Sequence, residues 1–301
     1  MTPPTVAILA PGDMGHAVGR VLVEHGARVV TALAGRSART AELAAKAGIA
    51  DLSDDRALVD AADVVLSILP PDRAVALAER VAAALKTARK KPAFVDCNAV
   101  APATARRIAR IVEAAGAPFV DAGIIGPPPK TGATATRFYA SGAEAARFAA
   151  LGAYGLDIRV IGAEPGQASA LKMCYAAMTK GVTAIQTEAM VAGRALGVEA
   201  ALFDELKLSQ AAMLKRAETA VPEMPPKAYR WVGEMEEIAA TFGAVGLTPR
   251  LFEGVAELYR FVEGTPLGRE TPEKRSRGQT LDDVVAVLAA ALGDRSRPGG
   301  G

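Results

Sequence analysis

Through residue 162, short apolar runs alternate with segments in which apolar residues recur every three or four positions. "TVAILA" (5–10) is apolar apart from its first residue and lies between Pro3-Pro4 and Pro11-Gly12, which predicts a buried strand. Residues 13–25 follow with Met14, Val18, Val21 and Leu22 at helical spacing, and Gly26 stops them. The alternation continues with a strand at 27–33, a helix "SARTAELAAKAG" ended by Gly48, a strand at 62–70 and a helix at 72–86. Then come a strand at 93–99, a helix "PATARRIARIVEAAG" opened by proline, and the strand "PFVDAGIIG". "RFYASG" and "DIRVIG" are expected to extend the sheet. Apolar strands separated by helices predict a mostly parallel, doubly wound α/β sheet with helices on both faces.

After Gly162 the pattern becomes helical throughout. "ASALKMCYAAMTKGVTAIQTEAMVAGRAL" has no proline and two glycines, which predicts one long helix joining two domains. Further helices are expected at 199–217, 230–242, 248–262 and 280–292. In the last, Thr280 is placed as N-cap ahead of Asp282 and Asp283. The expected organisation is an α/β domain at 1–163, an all-α domain at 164–293 and a disordered tail, "GDRSRPGGG", over 294–301.

The first strand and helix enclose "AILAPGDMGHAVG". In a strand–loop–helix nucleotide site the first glycine makes a tight turn, the second admits the pyrophosphate and the third lets helix and strand pack. Ala10, Gly12 and Gly15 hold these three positions. Alanine at the first is expected to cost only turn freedom, and the phosphate-facing amides are expected to be those of Asp13 and Met14. A ribose 2′-hydroxyl is held by an acid at the end of the second strand, and no acid lies between Gly26 and Glu42. Arg36 and Arg39, with Ser37 as a donor, suit the 2′-phosphate of NADP, because guanidinium binds phosphate through paired charge-assisted hydrogen bonds. The expected cofactor is therefore NADP (NADPH) ahead of NAD, in a Rossmann-type domain.

Composition narrows the alternatives. The 301 residues carry 35 Lys and Arg against 33 Asp and Glu, a net charge of +2, with no electrostatic case for nucleic acid or an anionic membrane. Two cysteines, Cys97 and Cys174, form neither a disulfide framework nor a zinc motif, and no metal site is expected. Cys174 reads as a small buried hydrophobe. The opening "MTPPTVAIL" lacks the features of a signal peptide, so a cytoplasmic protein is expected. The only histidines are His16, near the loop, and His25; Trp231 reads as a packing residue.

These segments, taken together, resemble the β-hydroxyacid dehydrogenase superfamily, which includes 6-phosphogluconate and 3-hydroxyisobutyrate dehydrogenases. "GDMGHAVGRVL" is similar to the family's opening loop, and "GRSARTAELAAKAG" to its Asn-Arg-Thr segment, with Gly35 for Asn. "DVVLSILPP" resembles the strand whose Leu69-Pro70 end lines the cofactor, and in "VDCNAVAPATAR" Asn98 stands where a serine contacts the nicotinamide side. "FVDAGIIGPPP" occupies the substrate-loop segment, which implies substrate contacts at Ile124, Ile125 and Gly126. "PGQASALKMCYA" resembles the catalytic segment, with Ala168 for a glycine, and Lys172 falls on the catalytic lysine.

The second half departs from the family pattern. Ile125 replaces a serine, three prolines follow Gly126, and Tyr175 replaces the asparagine three residues after the lysine. The downstream Lys-Asp pair has no match; its helix carries Glu236 and Glu237, of which Glu236 is taken as shaping the substrate pocket. The chain resembles a divergent branch with an uncharacterised C-terminal helical domain.

What the resemblance implies is an NADPH-dependent dehydrogenase or reductase of a small hydroxy or oxo compound. Lys172 would be general acid and base, its pKa lowered by desolvation at the domain junction. Tyr175 would be either a second proton donor or a core aromatic. Two other readings stay open: imine reduction on the same architecture, and a non-catalytic NADPH-binding sensor. A homodimer through the helical half is expected.

Overall fold

The computed structural model describes residues 2–52, 54–130, 132, 135–271 and 274–295. The chain forms two compact units, Met1–Cys174 and Tyr175–Gly301.

The first unit is an eight-stranded sheet: β1 (Thr5–Leu9), β2 (Arg28–Ala32), β3 (Ala50–Leu52), β4 (Val64–Ser67), β5 (Ala93–Asp96), β6 (Phe119–Ile125), β7 (Arg137–Ser141) and β8 (Asp157–Gly162). The strand order is β3-β2-β1-β4-β5-β6-β7-β8. The six strands from β3 to β6 run parallel; β7 is antiparallel to β6, and β8 is parallel to β7. The helices between them are α1 (Asp13–Glu24), α2 (Ala38–Lys46), α3 (Asp55–Ala61), α4 (Ala74–Thr87), α5 (Pro102–Ala114) and α6 (Ala145–Ala149).

Period-two alternation divides β1 between two cores. Val6 and Ile8 join Val18 and Leu22 of α1 and Ala44 of α2 on one face. Ala7 and Leu9 join Leu58, Leu77, Val81 and Ile108 on the other. A strand buried on both faces has no polar position to display, which is why β1 reads as a continuous apolar run.

Three elements, β3, α3 and the five-residue α6, were not expected. Strand β3 has three residues on the sheet edge, two of them exposed, so it carries no apolar run. Helix α3 is short and acidic at its start; its signal is the N-cap, where Asp54 accepts Ala57 N at 2.8 Å.

Residues 167–195 form the long helix: α7 (Gln167–Ala176), a π-helical turn Ala177–Gly181, and α8 (Val182–Ala195). The division between these compact units falls inside α7, whose first turns are bonded to β6 and β7 (below). The second unit continues with α9 (Glu199–Ser209), α10 (Ala211–Glu223), α11 (Ala228–Ala244), α12 (Arg250–Glu263) and α13 (Leu281–Arg295).

The single helix expected at 199–217 is two, broken at Gln210, whose φ of −138° and ψ of 39° leave the helical region. No glycine or proline marks the break. Helix α9 buries no residue, whereas α10 buries Leu214, Ala217 and Val221, so the bend frees α10 to aim its own apolar face. Thr280 does cap α13: its Oγ1 accepts Asp283 N at 3.2 Å, and Asp283 accepts Thr280 N in return. Helix α13 runs to Arg295, and 296–301 of the expected tail lie outside the described residues. Among the described residues, no helix is long and apolar enough to cross a membrane.

Candidate functional site

The chain leaves β1 toward β2 and β3 on one side and returns to β4 on the other, so the direction of winding reverses between β1 and β4. At such a point the loops after the two strands diverge and leave a crevice at the carboxyl edge of the sheet. Here those loops are 10–12 and 68–70.

Loop 10–12 has one unusual backbone. Ala10 takes φ of 62°, and among the described residues it is the sole non-glycine with positive φ. Alanine there is strained by about 1 kcal/mol, more than the turn freedom expected from the sequence. Gly12 N then donates to Ala10 O at 2.7 Å around Pro11. Gly12 precedes α1 with no side-chain cap, so the first amides of α1, from Asp13 and Met14 onward, have no side-chain acceptor. A Cβ on Gly12 would meet nothing within 4 Å, whereas one on Gly15 would lie 3.0 Å from Ala10 O. The two glycines therefore do different work: Gly15 lets α1 close on the loop, and Gly12 leaves open space over uncapped amides. A pyrophosphate fits that arrangement. His16 is turned inward on its own helix, Nδ1–H donating to Gly12 O at 2.8 Å.

Beyond β2, Gly35 is exposed with φ of 73°, and Ser37 caps α2, accepting Thr40 N. The two arginines have different settings. Arg39 donates to Asp13 Oδ1 at 2.6 Å. Arg36 is half-buried, and its guanidinium is held below its ordinary value by burial first and by the cations Arg80 and Arg73, with Asp55 opposing. Arg80 is itself paired with Asp55 at 2.8 Å. Arg36 is thus a half-buried guanidinium with two arginines and one carboxylate around it, the carboxylate being paired with Arg80. Sequence reading missed Arg80 and Arg73, and it also missed an acid: Asp51 of β3 accepts Leu33 N at 2.9 Å at the end of β2. The carboxylate arrives from the neighbouring strand, where a search along β2 cannot find it.

Asn98 follows β5, 2% exposed. Its Oδ1 accepts Leu69 N at 2.7 Å, and its Nδ2 donates to Ser67 Oγ at 2.8 Å and to Asp96. It ties the end of β5 to the loop after β4 and fixes Leu69; Pro70 beside it is exposed.

Strand β6 pairs with β5 only as far as Asp121, so 122–125 project beyond the end of β5. Lys172 meets this overhang. Its Nζ donates to Ile124 O at 2.7 Å, and a Cβ on Gly123 would lie 2.9 Å from Lys172 Cβ. Ile124 and Ile125 are buried, so Ile124 meets the lysine through its carbonyl; Gly126 is exposed.

Two readings change. Cys174 is exposed, not buried, because the residue after the buried Met173 falls on the outer face of α7. Tyr175 is 44% exposed, which removes it from the core. Cys97 is the buried thiol, pushed well up by burial and by Asp96 and Asp121, and is no nucleophile. Glu236, in the second unit, is exposed and paired with Arg260; Trp231 packs edge-on against Tyr259. Among the described residues, no group of three or more His, Cys, Asp or Glu could hold a metal ion.

Residues 5–153 match the NAD binding domain of 6-phosphogluconate dehydrogenase, and residues 194–262 match a domain of unknown function, DUF1932. A solved conserved protein of unknown function, described as structurally similar to 3-hydroxyacid dehydrogenases, is 30% identical, covers 86% of this chain and 96% of its own, and has a TM-score of 0.66. The chain belongs to this family, a 6-phosphogluconate dehydrogenase-type NAD-binding domain followed by DUF1932.

An uncharacterised 28.5 kDa protein of Methanothermus fervidus is 33% identical over 178 residues, 59% of this chain; the match spans 65% of that protein's length. The 3-hydroxyisobutyrate dehydrogenase of Mycobacterium tuberculosis, solved with L-serine, is 22% identical, covers 98% of this chain and 100% of its own, and has a TM-score of 0.68. That last likeness is one of fold. The 6-phosphogluconate dehydrogenase-type domain is an NAD(P)-binding domain, and its fold is shared with NAD(P)-dependent dehydrogenases.

Proposed function

We propose that the chain is an NADPH-dependent oxidoreductase acting on a small hydroxy or oxo compound, with Lys172 as general acid and base. The observation that carries this is the hydrogen bond from Lys172 Nζ to Ile124 O at 2.7 Å, on strand residues that overhang the carboxyl edge bearing the nucleotide loop. An ammonium there can give a proton to a developing alkoxide, and an amine can take one from a hydroxyl in the reverse direction. The nicotinamide, when bound, supplies or accepts the hydride.

The residues divide the remaining tasks. The amides of Asp13 and Met14 bind pyrophosphate over Gly12. Arg36 holds the 2′-phosphate, with Ser37 and Gly35 beside it, and the cations Arg80 and Arg73 support NADP over NAD. Leu69 and Pro70, fixed through Asn98, line the nicotinamide side. Tyr175, three residues past Lys172 on the same helix with an exposed ring, offers a second hydroxyl to substrate. Ile124, Ile125 and Gly126 border the substrate. A short β-hydroxy acid is the substrate class we favour, from the 30% identical solved protein described as structurally similar to 3-hydroxyacid dehydrogenases.

The experiment is an NADP⁺ reduction screen with short β-hydroxy acids, including 3-hydroxyisobutyrate and L-serine, and the reverse assay with oxo acids and cyclic imines. Turnover on any hydroxy acid that Lys172→Ala lowers by about a thousandfold supports the proposal. Full turnover by Lys172→Ala would overturn it. Preference for imines would assign a reductase of imines, and NADPH binding without any turnover would leave a sensor.

We further propose a homodimer through the helical half. Along the long helix Met178 is 68% and Ile185 53% exposed, and elsewhere in the second unit Leu208 is 84% exposed. Light scattering at micromolar concentration tests this, and a monomer refutes it.

A further inference from the structure

Side chains of the sheet hold the amides of Gly166, Ala168 and Ser169 at the start of α7, while Gln167 turns to the preceding loop, its N donating to Glu164 O at 3.3 Å and its Oε1 accepting Glu164 N at 3.0 Å. A helix start ordinarily finds its cap next door in sequence, from Ser, Thr, Asp or Asn. Here the residue before Gln167 is Gly166, which has no side chain to offer. Asp121 of β6 takes that place from a sequence distance of 45 residues. Its Oδ2 accepts Gly166 N at 2.8 Å, Ser169 N at 3.0 Å and Ser141 Oγ at 3.1 Å. Its Oδ1 accepts Ser169 Oγ at 2.6 Å. Ser141 Oγ in turn accepts Ala168 N at 3.0 Å.

Asp121 is 0% exposed. A buried carboxylate is costly unless its lone pairs are filled. Here two amides at a helix start and two hydroxyls fill them, and no cation is among these donors. The dipole of α7 adds in the same sense. The carboxylate thus binds the helix through its polar end, which sets both the depth and the rotation of α7 on the sheet.

Rotation matters for Lys172, one turn further along. Side chains at 121 and 123 share one face of β6, because strand side chains alternate. That face is the one α7 lies against. At 123 a Cβ would stand 2.9 Å from Lys172 Cβ and 3.1 Å from Ala168 O, so helix and strand are in contact with no room for a side chain. At 124 the strand's carbonyl receives Lys172 Nζ. Three neighbouring positions of one strand therefore hold the helix start, the root of the lysine and its tip.

We propose that Asp121, with Gly123, is the positioning element of Lys172: it locks α7 so that a flexible side chain presents its Nζ at one place beyond the carboxyl edge. This builds on Lys172 as the acid and base proposed above. A lysine has four rotatable bonds, and fixing its root and its tip removes the search that would otherwise oppose proton transfer.

Asp121→Asn tests this, since it keeps the shape and removes the charge and one acceptor. Gly123→Ala presses on the same lysine without touching the carboxylate. Two readouts need no substrate. Amide hydrogen exchange over 166–172 reports the helix start. Competitive acetylation of Lys172 by acetic anhydride across a pH series, read by peptide mass spectrometry, reports the environment of Nζ. We expect Asp121→Asn to raise exchange at these amides by about tenfold or more. We also expect both variants to displace the acetylation–pH curve of Lys172, while the affinity for NADPH stays within about twofold of the parent. On a substrate from the screen, kcat should fall with KM little changed.

A Lys172 acetylation curve that superimposes on the parent in both variants overturns the proposal, even if exchange rises, because Asp121 is then a helix anchor and nothing more. Should Asp121→Asn fail to fold, Ser169→Ala, which removes one donor, takes its place beside Gly123→Ala under the same criterion. Loss of the Lys172→Ala effect on turnover would defeat the acid–base assignment separately, and the acetylation curves would still decide the positioning.

Discussion

Arg39 donates to Asp13 Oδ1 at 2.6 Å, joining the first turn of α2 to the first turn of α1. Both side chains are substantially exposed, 55% and 36%, so the pair adds little stability. Its effect is on charge: the carboxylate beside the first amides of α1 is offset, and Arg39 is engaged. That leaves Arg36 as the arginine proposed for the 2′-phosphate. Arg36→Ala should therefore raise the Kd for NADPH by about 30-fold or more while leaving NADH within about threefold. Arg39→Ala should weaken both cofactors by a similar, smaller factor. Calorimetric titration of the two variants with both cofactors distinguishes these outcomes; equal losses for NADPH and NADH in Arg36→Ala would remove Arg36 from the 2′-phosphate.

Ala10 occupies a left-handed conformation, φ 62°, that suits glycine. Ala10→Gly should relieve the strain and stabilise the protein by up to about 1 kcal/mol, raising Tm by about 2 °C in a chain of this size. Part of the gain is lost to the freer unfolded chain. A thermal melt by circular dichroism reads it. A fall in Tm would mean that the alanine methyl contributes packing that outweighs the backbone strain.

The two cysteines should react very differently. Burial, reinforced by Asp96 and Asp121, raises the Cys97 thiol, so its thiolate is scarce at mildly alkaline pH. Cys174 is exposed. Native protein with excess iodoacetamide at mildly alkaline pH should carry one label, on Cys174, and two after unfolding. Labelling of Cys97 at a comparable rate in the native state would contradict its burial.

The fold was legible because its strands are apolar on both faces and its helices keep a steady 3.6-residue period; β1 and α5 need no more than that. What escaped has physical reasons. Strand β3 is three edge residues with no apolar run. The break at Gln210 serves the different burial of α9 and α10, which no local residue announces. The resemblance singles out Lys172, but its setting against β6 could not be read from the sequence. Asp121, Asp51 and Arg80 act across strands and helices far apart in sequence, and pairing of that kind is invisible to spacing. One signal was present in "FVDAGII", where a carboxylate sits inside an otherwise apolar strand. A buried acid must be satisfied by something, and asking what satisfies it leads to α7.

The same question applied to Asn98 gives the last prediction. Its side chain joins Leu69 N, Ser67 Oγ and Asp96 at 2% exposure, at the start of the loop after β4. Asn98→Ala leaves a buried amide and a hydroxyl without this partner, at a cost of about 1–3 kcal/mol. Asn98→Asp is worse in kind, because a second carboxylate then faces Asp96. If Asn98 only braces the sheet, Asn98→Ala should lower Tm and leave cofactor binding unchanged. If it fixes Leu69 for the cofactor, the Kd for NADPH should rise by about tenfold, with the Arg36-dependent preference over NADH intact, since the adenosine end is untouched. We expect the second result. Titrating Asn98→Ala with NADPH and NADH alongside a thermal melt separates the two, and an unchanged Kd at a lowered Tm would make Asn98 a brace alone.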